Sequence, residues 1–378
     1  MRRRRDRLEA AVEEDQPRRG PVRPGAPILL FALRILQGAG AGAEQAGSAT
    51  LLTETARAGR RGRLSASVMV GAAAGTVLGT AVFSLVQLLT TDEQFLAWGW
   101  RVVFLMSFLV TGAAFLVRRH LAESPVFVEL RDSAEAVDRE KAPLVQAVRH
   151  GWPTILRAFV MNWGPNTNSY TVQTFFVTFV TTSVVVGQVD GADQFFAKST
   201  ITNIQLVGAL VGMGSAFLWG RLSDSVGRKP VTVGLAAVGV VLPFVYFALL
   251  DTGSVALVAV ATLLGFAFAA YGAVGVQMSY FPELFGSRYR YAGITIAREL
   301  SAVIGGGIAP FICAALLAAT GSWVPIAVYG SVTMAFALVA SLLAPETADR
   351  DLTIPTDAVP GEARPAAKAT PTPAGVGA

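Results

Sequence analysis

Nine long apolar runs, joined by short polar segments, constrain this 378-residue chain more than any other feature. They lie at Pro27–Thr53, Leu64–Leu89, Trp100–Val117, Thr154–Val186, Ile201–Gly220, Val231–Leu250, Ser254–Phe281, Tyr291–Leu317 and Ser322–Leu343. A helix needs about 20 mainly apolar residues to cross a bilayer, and glycine or proline inside such a run does not forbid helix, because neighbouring helices satisfy the freed backbone groups. The expected fold is therefore all-α and membrane-spanning. Composition agrees: charged residues are 15% of the chain, against about 25% in soluble domains. The single cysteine, Cys313, excludes an internal disulfide, and two histidines are too few for a zinc cluster. No Ser-His-Asp set, metal-ligand spacing or phosphate loop appears, so no enzyme chemistry, metal or cofactor is expected.

The connections alternate in sign. Arg57 to Arg63, Arg118-Arg119-His120, Arg221 to Lys229 and Ser287 to Arg290 are basic, whereas Thr91 to Gln94 and Gln188 to Asp193 are acidic. Cations mark the cytoplasmic side, which puts the C-terminus inside and the partner of the chain as the lipid bilayer of a cell membrane. Basic residues at the ends of apolar runs, with no aromatic-lined basic face, argue against nucleic acid. Nine spans with an inner C-terminus put the N-terminus outside. Residues 1–25, an arginine-rich head carrying Arg2 to Arg5, Arg7, Arg18, Arg19 and Arg23, contradict that placement; the head is expected to be disordered or mis-translated. The tail 346–378, with five prolines from Pro355 on, is expected to be disordered.

Gly220-Arg-Leu-Ser-Asp224-Ser-Val-Gly227-Arg228-Lys229-Pro230 is the most specific stretch. Its glycines permit a tight turn, Pro230 suits the first position of the next helix, and Asp224 can accept from backbone N–H groups at a helix start or pair with Arg228. In the first run, Arg34, Gln37 and Glu44 sit at offsets of three and seven, one helical face. A charge inside lipid costs roughly 2.5–3.5 kcal/mol, so this face should meet a cavity or another helix. A dinucleotide loop fails there on its glycine phase.

The first of these stretches resembles the G-x-L-x-D-x-x-G-R-[RK] loop of the major facilitator superfamily, and Arg34 to Gly42 resembles the R-x-x-Q-G-x-G-x-G pattern of that superfamily's fourth helix. Glu123-Ser-Pro-Val-Phe127, Phe281-Pro-Glu-Leu-Phe285, Arg288-Tyr-Arg290-Tyr-Ala-Gly293, Gly305-Gly-Gly-Ile-Ala-Pro310 and Pro345-Glu-Thr347 are similar to the metabolite:proton symporter family within it. The resemblance covers about residues 26–347. It implies proton-coupled symport of a small organic acid or zwitterion by alternating access. It also aligns residue 26 with the fourth helix, so 26–120 is expected to be a three-helix remnant of the N-terminal half, 121–153 the central cytoplasmic loop and 154–345 the six-helix C-terminal half. Such folds are built from three-helix repeats, and a chain lacking one is expected not to transport. An inactive or incomplete fragment, or a non-transporting membrane sensor or partner, remains open.

Candidate cavity residues are Arg34, Gln37, Asn166, Tyr170, Gln173, Tyr271, Gln277 and Arg298. Asn166, Tyr170 and Gln173 recur at four and three, one face of a helix, and arginine binds a carboxylate bidentately. Solute contact, interhelix hydrogen bonding and, for Arg298, anchoring near headgroups are all open readings. Glu44 is the candidate for proton coupling, and Gly220, Asp224, Gly227, Arg228 and Lys229 form the candidate cytoplasmic gate.

Overall fold

The computed structural model describes residues 25–361, except 58, 121–123, 125, 127, 129–142 and 190–191. These fall into two units, one up to Glu44 and one from Gln45 onward. The elements are α1 (Gly25–Thr55), α2 (Arg61–Leu89), α3 (Asp92–His120), a short α4 (Pro143–His150) and α5 (Trp152–Tyr170), which a π-turn at Thr171–Phe175 carries into helix Phe176–Thr182. An antiparallel hairpin of β1 (Val185–Val189) and β2 (Ala192–Phe195) follows. Then come α6 (Lys198–Val226), α7 (Arg228–Leu250), α8 (Val255–Leu284), α9 (Arg290–Thr320) and α10 (Val324–Leu343).

All nine apolar runs are helical. Among the described residues seven helices are long and apolar enough to cross a membrane: α2, α3 and α6 to α10. The two others are α1 and α5. They carry Arg34, Glu44 and Glu54, and Asn162, Asn166 and Asn168, respectively, which dilute their apolarity and give them polar faces. The fourth run is shorter than expected as helix. It ends at Thr182, and its β-branched continuation Val184-Val185-Val186 enters the hairpin. Ends are made locally: Thr91 and Gln94 form a reciprocal capping box at the start of α3, and Gly321 closes α9 in the left-handed region.

Packing in the second unit pairs α2 with α6 and α8, α7 with α10, and α5 with α10 and the first part of α9. One close crossing is between α2 and α6 at Gly62 and Gly220. A Cβ on Gly62 would stand 2.2 Å from the Gly220 carbonyl, so only glycine lets these backbones touch. An aromatic cluster of Phe175, Phe179, Tyr246, Phe247 and Phe266 fills the α5–α7–α8 core. On the other side, α3 leaves Phe104, Phe108, Leu109 and Phe115 exposed, the surface that hydrocarbon rather than water would accept.

Two details correct the sequence reading. Residues 346–361 do not behave as a disordered tail. Leu352 and Ala358 are buried, Ala358 N donates to the Leu284 carbonyl at 2.9 Å, and Gly286 N donates to Asp357 Oδ1 at 2.9 Å. These contacts make the segment a strap; residues 362–378, like the head 1–24, lie outside the described residues. Nor is Pro230 the first residue of α7, which begins at Arg228. Glu346 accepts from Arg228 N at 2.9 Å and Lys229 N at 3.1 Å, and this cap draws the helix start two residues forward.

Candidate functional site

Two buried charge clusters dominate the second unit. The first lies where the basic loops converge. Gly227 turns the chain from α6 into α7 with φ +113, and a Cβ there would meet Glu346 at 2.5 Å, so glycine is required twice over. That turn buries Arg228, which is 1% exposed. Its Nε donates to Glu283 Oε2 at 3.0 Å, its Nη2 to Glu283 Oε1 at 3.2 Å, and its Nη1 to Ser223 Oγ at 2.7 Å and Asp224 Oδ1 at 2.9 Å. Asp224 in turn accepts from Gly62 N at 2.6 Å and Arg63 N at 3.0 Å. It thereby caps α2, where four N–H groups lack helical partners and the dipole favours an anion. Arg61 stands 3.8 Å from Glu283, and Thr347 donates to Glu283 at 2.9 Å.

The strap closes this end. Arg350 donates to the Glu283 carbonyl at 3.0 Å and the Thr356 carbonyl at 2.6 Å, while Arg61 donates to the Arg350 carbonyl at 2.6 Å. Arg290 binds Glu54 at 2.5 Å and the Leu352 carbonyl at 2.7 Å. Beside it, burial and the neighbouring Asp357 carboxylate push the Tyr289 hydroxyl above the usual tyrosine range. Asp224 and Arg228 therefore meet as the sequence suggests. Glu283, Glu346, Arg61 and Gly62 complete the cluster and were missed, because their partners are more than fifty residues away in sequence.

The second cluster lies deeper, where α1, α5, α8 and α9 meet. Arg298 is the ninth residue of α9, about 12 Å along its axis, and is 8% exposed. Its Nη2 donates to Gln45 Oε1 at 2.8 Å, whereas Nε and Nη1 have no partner. One turn on, Ser301 Oγ donates to the Arg298 carbonyl at 2.9 Å and accepts from Asn162 Nδ2 at 2.6 Å and Asn166 Nδ2 at 2.8 Å. Gln277 of α8 donates to the Met161 carbonyl at 3.3 Å. The Asn162 Oδ1 and Gln277 Oε1 atoms are also buried without partners. Such atoms cost roughly 1–3 kcal/mol each when left unmade. A cation and two carbonyl acceptors left open together therefore invite a ligand with an anionic group and hydrogen-bond donors.

Of the sequence candidates, Asn166 and Arg298 are joined through Ser301, and Gln277 packs on the same stretch of α5. Tyr170, 40% exposed, lays its ring against Gly306. Gln173 and Tyr271 are elsewhere. Gln173 bonds Ser169 of its own helix and offers its carbonyl to Gln205 of α6; Tyr271 stacks on Phe266 over Gly212 in the apolar core. In the first unit, Arg34 donates to Gln37 at 3.0 Å, and both are exposed, as is Glu44. Gln45, Asn162 and Ser301 are the members of the cluster outside that candidate set. The four-residue step from Asn162 to Asn166 was the available signal for Asn162.

A family model described as the major facilitator superfamily matches residues 21–310. The chain belongs to that superfamily. Among major facilitator relatives, the shikimate transporter of Escherichia coli strain K12 is 32% identical over 310 residues, covering 80% of this chain and 67% of its own length. The inner membrane metabolite transport protein YhjE of the same strain is 31% identical over 332 residues, covering 86% of this chain and 72% of its own length. The solved structure of the proton:xylose symporter XylE superposes with a TM-score of 0.60 at 16% identity, over 81% of this chain and 69% of that one; this likeness is one of fold. The chain is thus a multi-pass membrane protein of a transporter superfamily, and not an enzyme.

Proposed function

We propose that this major facilitator protein carries a small organic acid or zwitterion together with protons across the cell membrane, with its C-terminus in the cytoplasm. The observation that carries the reading is Arg298: a buried guanidinium, two of whose nitrogens face no partner, beside unpaired amide oxygens on α5 and α8. An arginine so placed is matched by a carboxylate, whose planar geometry fits the guanidinium fork. Asn162, Asn166 and Gln277 would read the rest of the solute. The resemblance to a shikimate transporter supports this chemistry.

In this reading the loop-end cluster is the cytoplasmic gate. Asp224, Arg228 and Lys229 tie the α6–α7 turn to α2, to α8 and to Glu346. Alternating access requires these contacts to open and close as one bundle rocks on the other.

The test separates site from cycle. The protein in detergent is screened by thermal shift against shikimate, proline and 2-oxoglutarate. It is then reconstituted, and uptake of the labelled ligand is followed with and without an inward proton gradient. The expected result is carboxylate stabilisation and uptake abolished by a protonophore. Uptake indifferent to the gradient removes proton coupling. Binding without uptake leaves a solute site without a transport cycle.

A further inference from the structure

We infer that Arg298 and Glu299 act as one coupled pair, in which arrival of a solute carboxylate at Arg298 hands Glu299 the proton that travels with it. The inference rests on the proposed carboxylate site. Glu299 lies about 13 Å along α9, half-buried on the flank of the face that carries Arg298. Among the described residues it makes no hydrogen bond, and the charge that acts on it is that of Arg298. Adjacent residues diverge by about 100° around a helix. The guanidinium therefore keeps two nitrogens without a partner while its charge still reaches Glu299.

The charge balance gives the mechanism. With the site empty, one cation and one carboxylate offset each other inside a medium of low dielectric. A solute carboxylate bound at Nε and Nη1 makes a second anion for the same cation. Two carboxylates cannot both stay ionised against one positive charge there. A proton from solution on a Glu299 oxygen restores neutrality, so solute and proton enter together with no net change in local charge. No bond other than that O–H forms, and none breaks.

The other ionisable groups on the elements packed against α9 are otherwise engaged or lie nearer the helix starts. Glu54 of α1 is bound to Arg290, Glu283 of α8 to Arg228, and Arg157, Arg149 and His150 belong to the first turns of α5 or to α4. Glu44, the sequence's own choice for the proton, is exposed on α1.

The experiment is calorimetric titration of the detergent-solubilised protein with shikimate, proline and 2-oxoglutarate, in buffers of different ionisation heat between pH 5 and 8. The wild-type protein should take up about one proton per carboxylate bound, and its affinity should fall up to about tenfold per pH unit on the alkaline side. Glu299→Gln should bind within about threefold of wild type at low pH, take up no proton and lose the pH dependence; Glu299→Asp should restore both. Full proton uptake in Glu299→Gln overturns the pairing. So does carboxylate binding by the wild-type protein with no proton uptake, a result that needs no variant and leaves the carboxylate site standing. Failure of all three probes to bind removes the site and the pair together.

Discussion

Arg228 and Arg298 are both buried arginines on membrane helices, and they differ in what surrounds them. Every side-chain nitrogen of Arg228 donates to Glu283, Ser223 or Asp224, and its backbone N–H is held by Glu346. Arg298 spends only Nη2, on Gln45. Fully paired, a buried cation holds elements in place, and removing one partner strands a charge. Partly paired, it carries an unmet desolvation cost that a ligand can relieve. The difference separates a structural lock from a binding group, although burial alone ranks the two alike.

The largest effect should come from breaking the lock. Arg228→Ala leaves Glu283 and Asp224 short of their counter-charge and should cost about 3–5 kcal/mol, seen as a collapse of the melting temperature in detergent and poor expression. A melt within about 1 kcal/mol of wild type would make the cluster ornamental and erase the contrast. Next comes the crossing beneath it. Gly62→Ala places a methyl against the Gly220 carbonyl and should cost about 1–3 kcal/mol by overpacking, measured in the same melt.

Asp224→Asn should act more on motion than on stability. It keeps a side chain able to cap α2 at one position but weakens the bond to Arg228, at about 1 kcal/mol. On a Cys313→Ala background, thiol labelling of an Ala66→Cys probe, buried where α2 meets α6, should speed up. Unchanged labelling together with wild-type uptake would leave the loop as a topological turn. The smallest stability change belongs to Arg298→Lys, within about 1 kcal/mol of wild type, since no complete ion pair is lost. Its signature is a carboxylate-induced melting shift that shrinks despite the retained charge, because the fork is gone. Equal stabilisation of both proteins would recast Arg298 as an anchor.

How far each cluster could be read in advance follows the same divide. The helices were legible because a bilayer forces nearly every crossing segment into a long apolar run, and run length needs no partner to be measured. The turn Gly220 to Pro230 was legible for a related reason: Asp224 and Arg228 stand one helical turn apart, so their pairing is local. Glu346 as the cap of α7, and the strap from 349 to 358 against Glu283, Gly286 and Arg290, were not. Five prolines in a polar segment look alike whether or not a surface exists to receive them.

Chain chemistry by itself determined that these residues seek a membrane, where the helices run, and that polar side chains on α5 and α9 require an interior partner. Tertiary structure alone decided which partner. It gave Asn162 and Asn166 a shared hydroxyl at Ser301, completed the acceptors of Arg228 with Glu283, and left Arg298 with one. The cost of burying a polar group is written in its own chemistry. Whether that cost is met depends on atoms that lie tens to hundreds of residues away and arrive only when the helices pack.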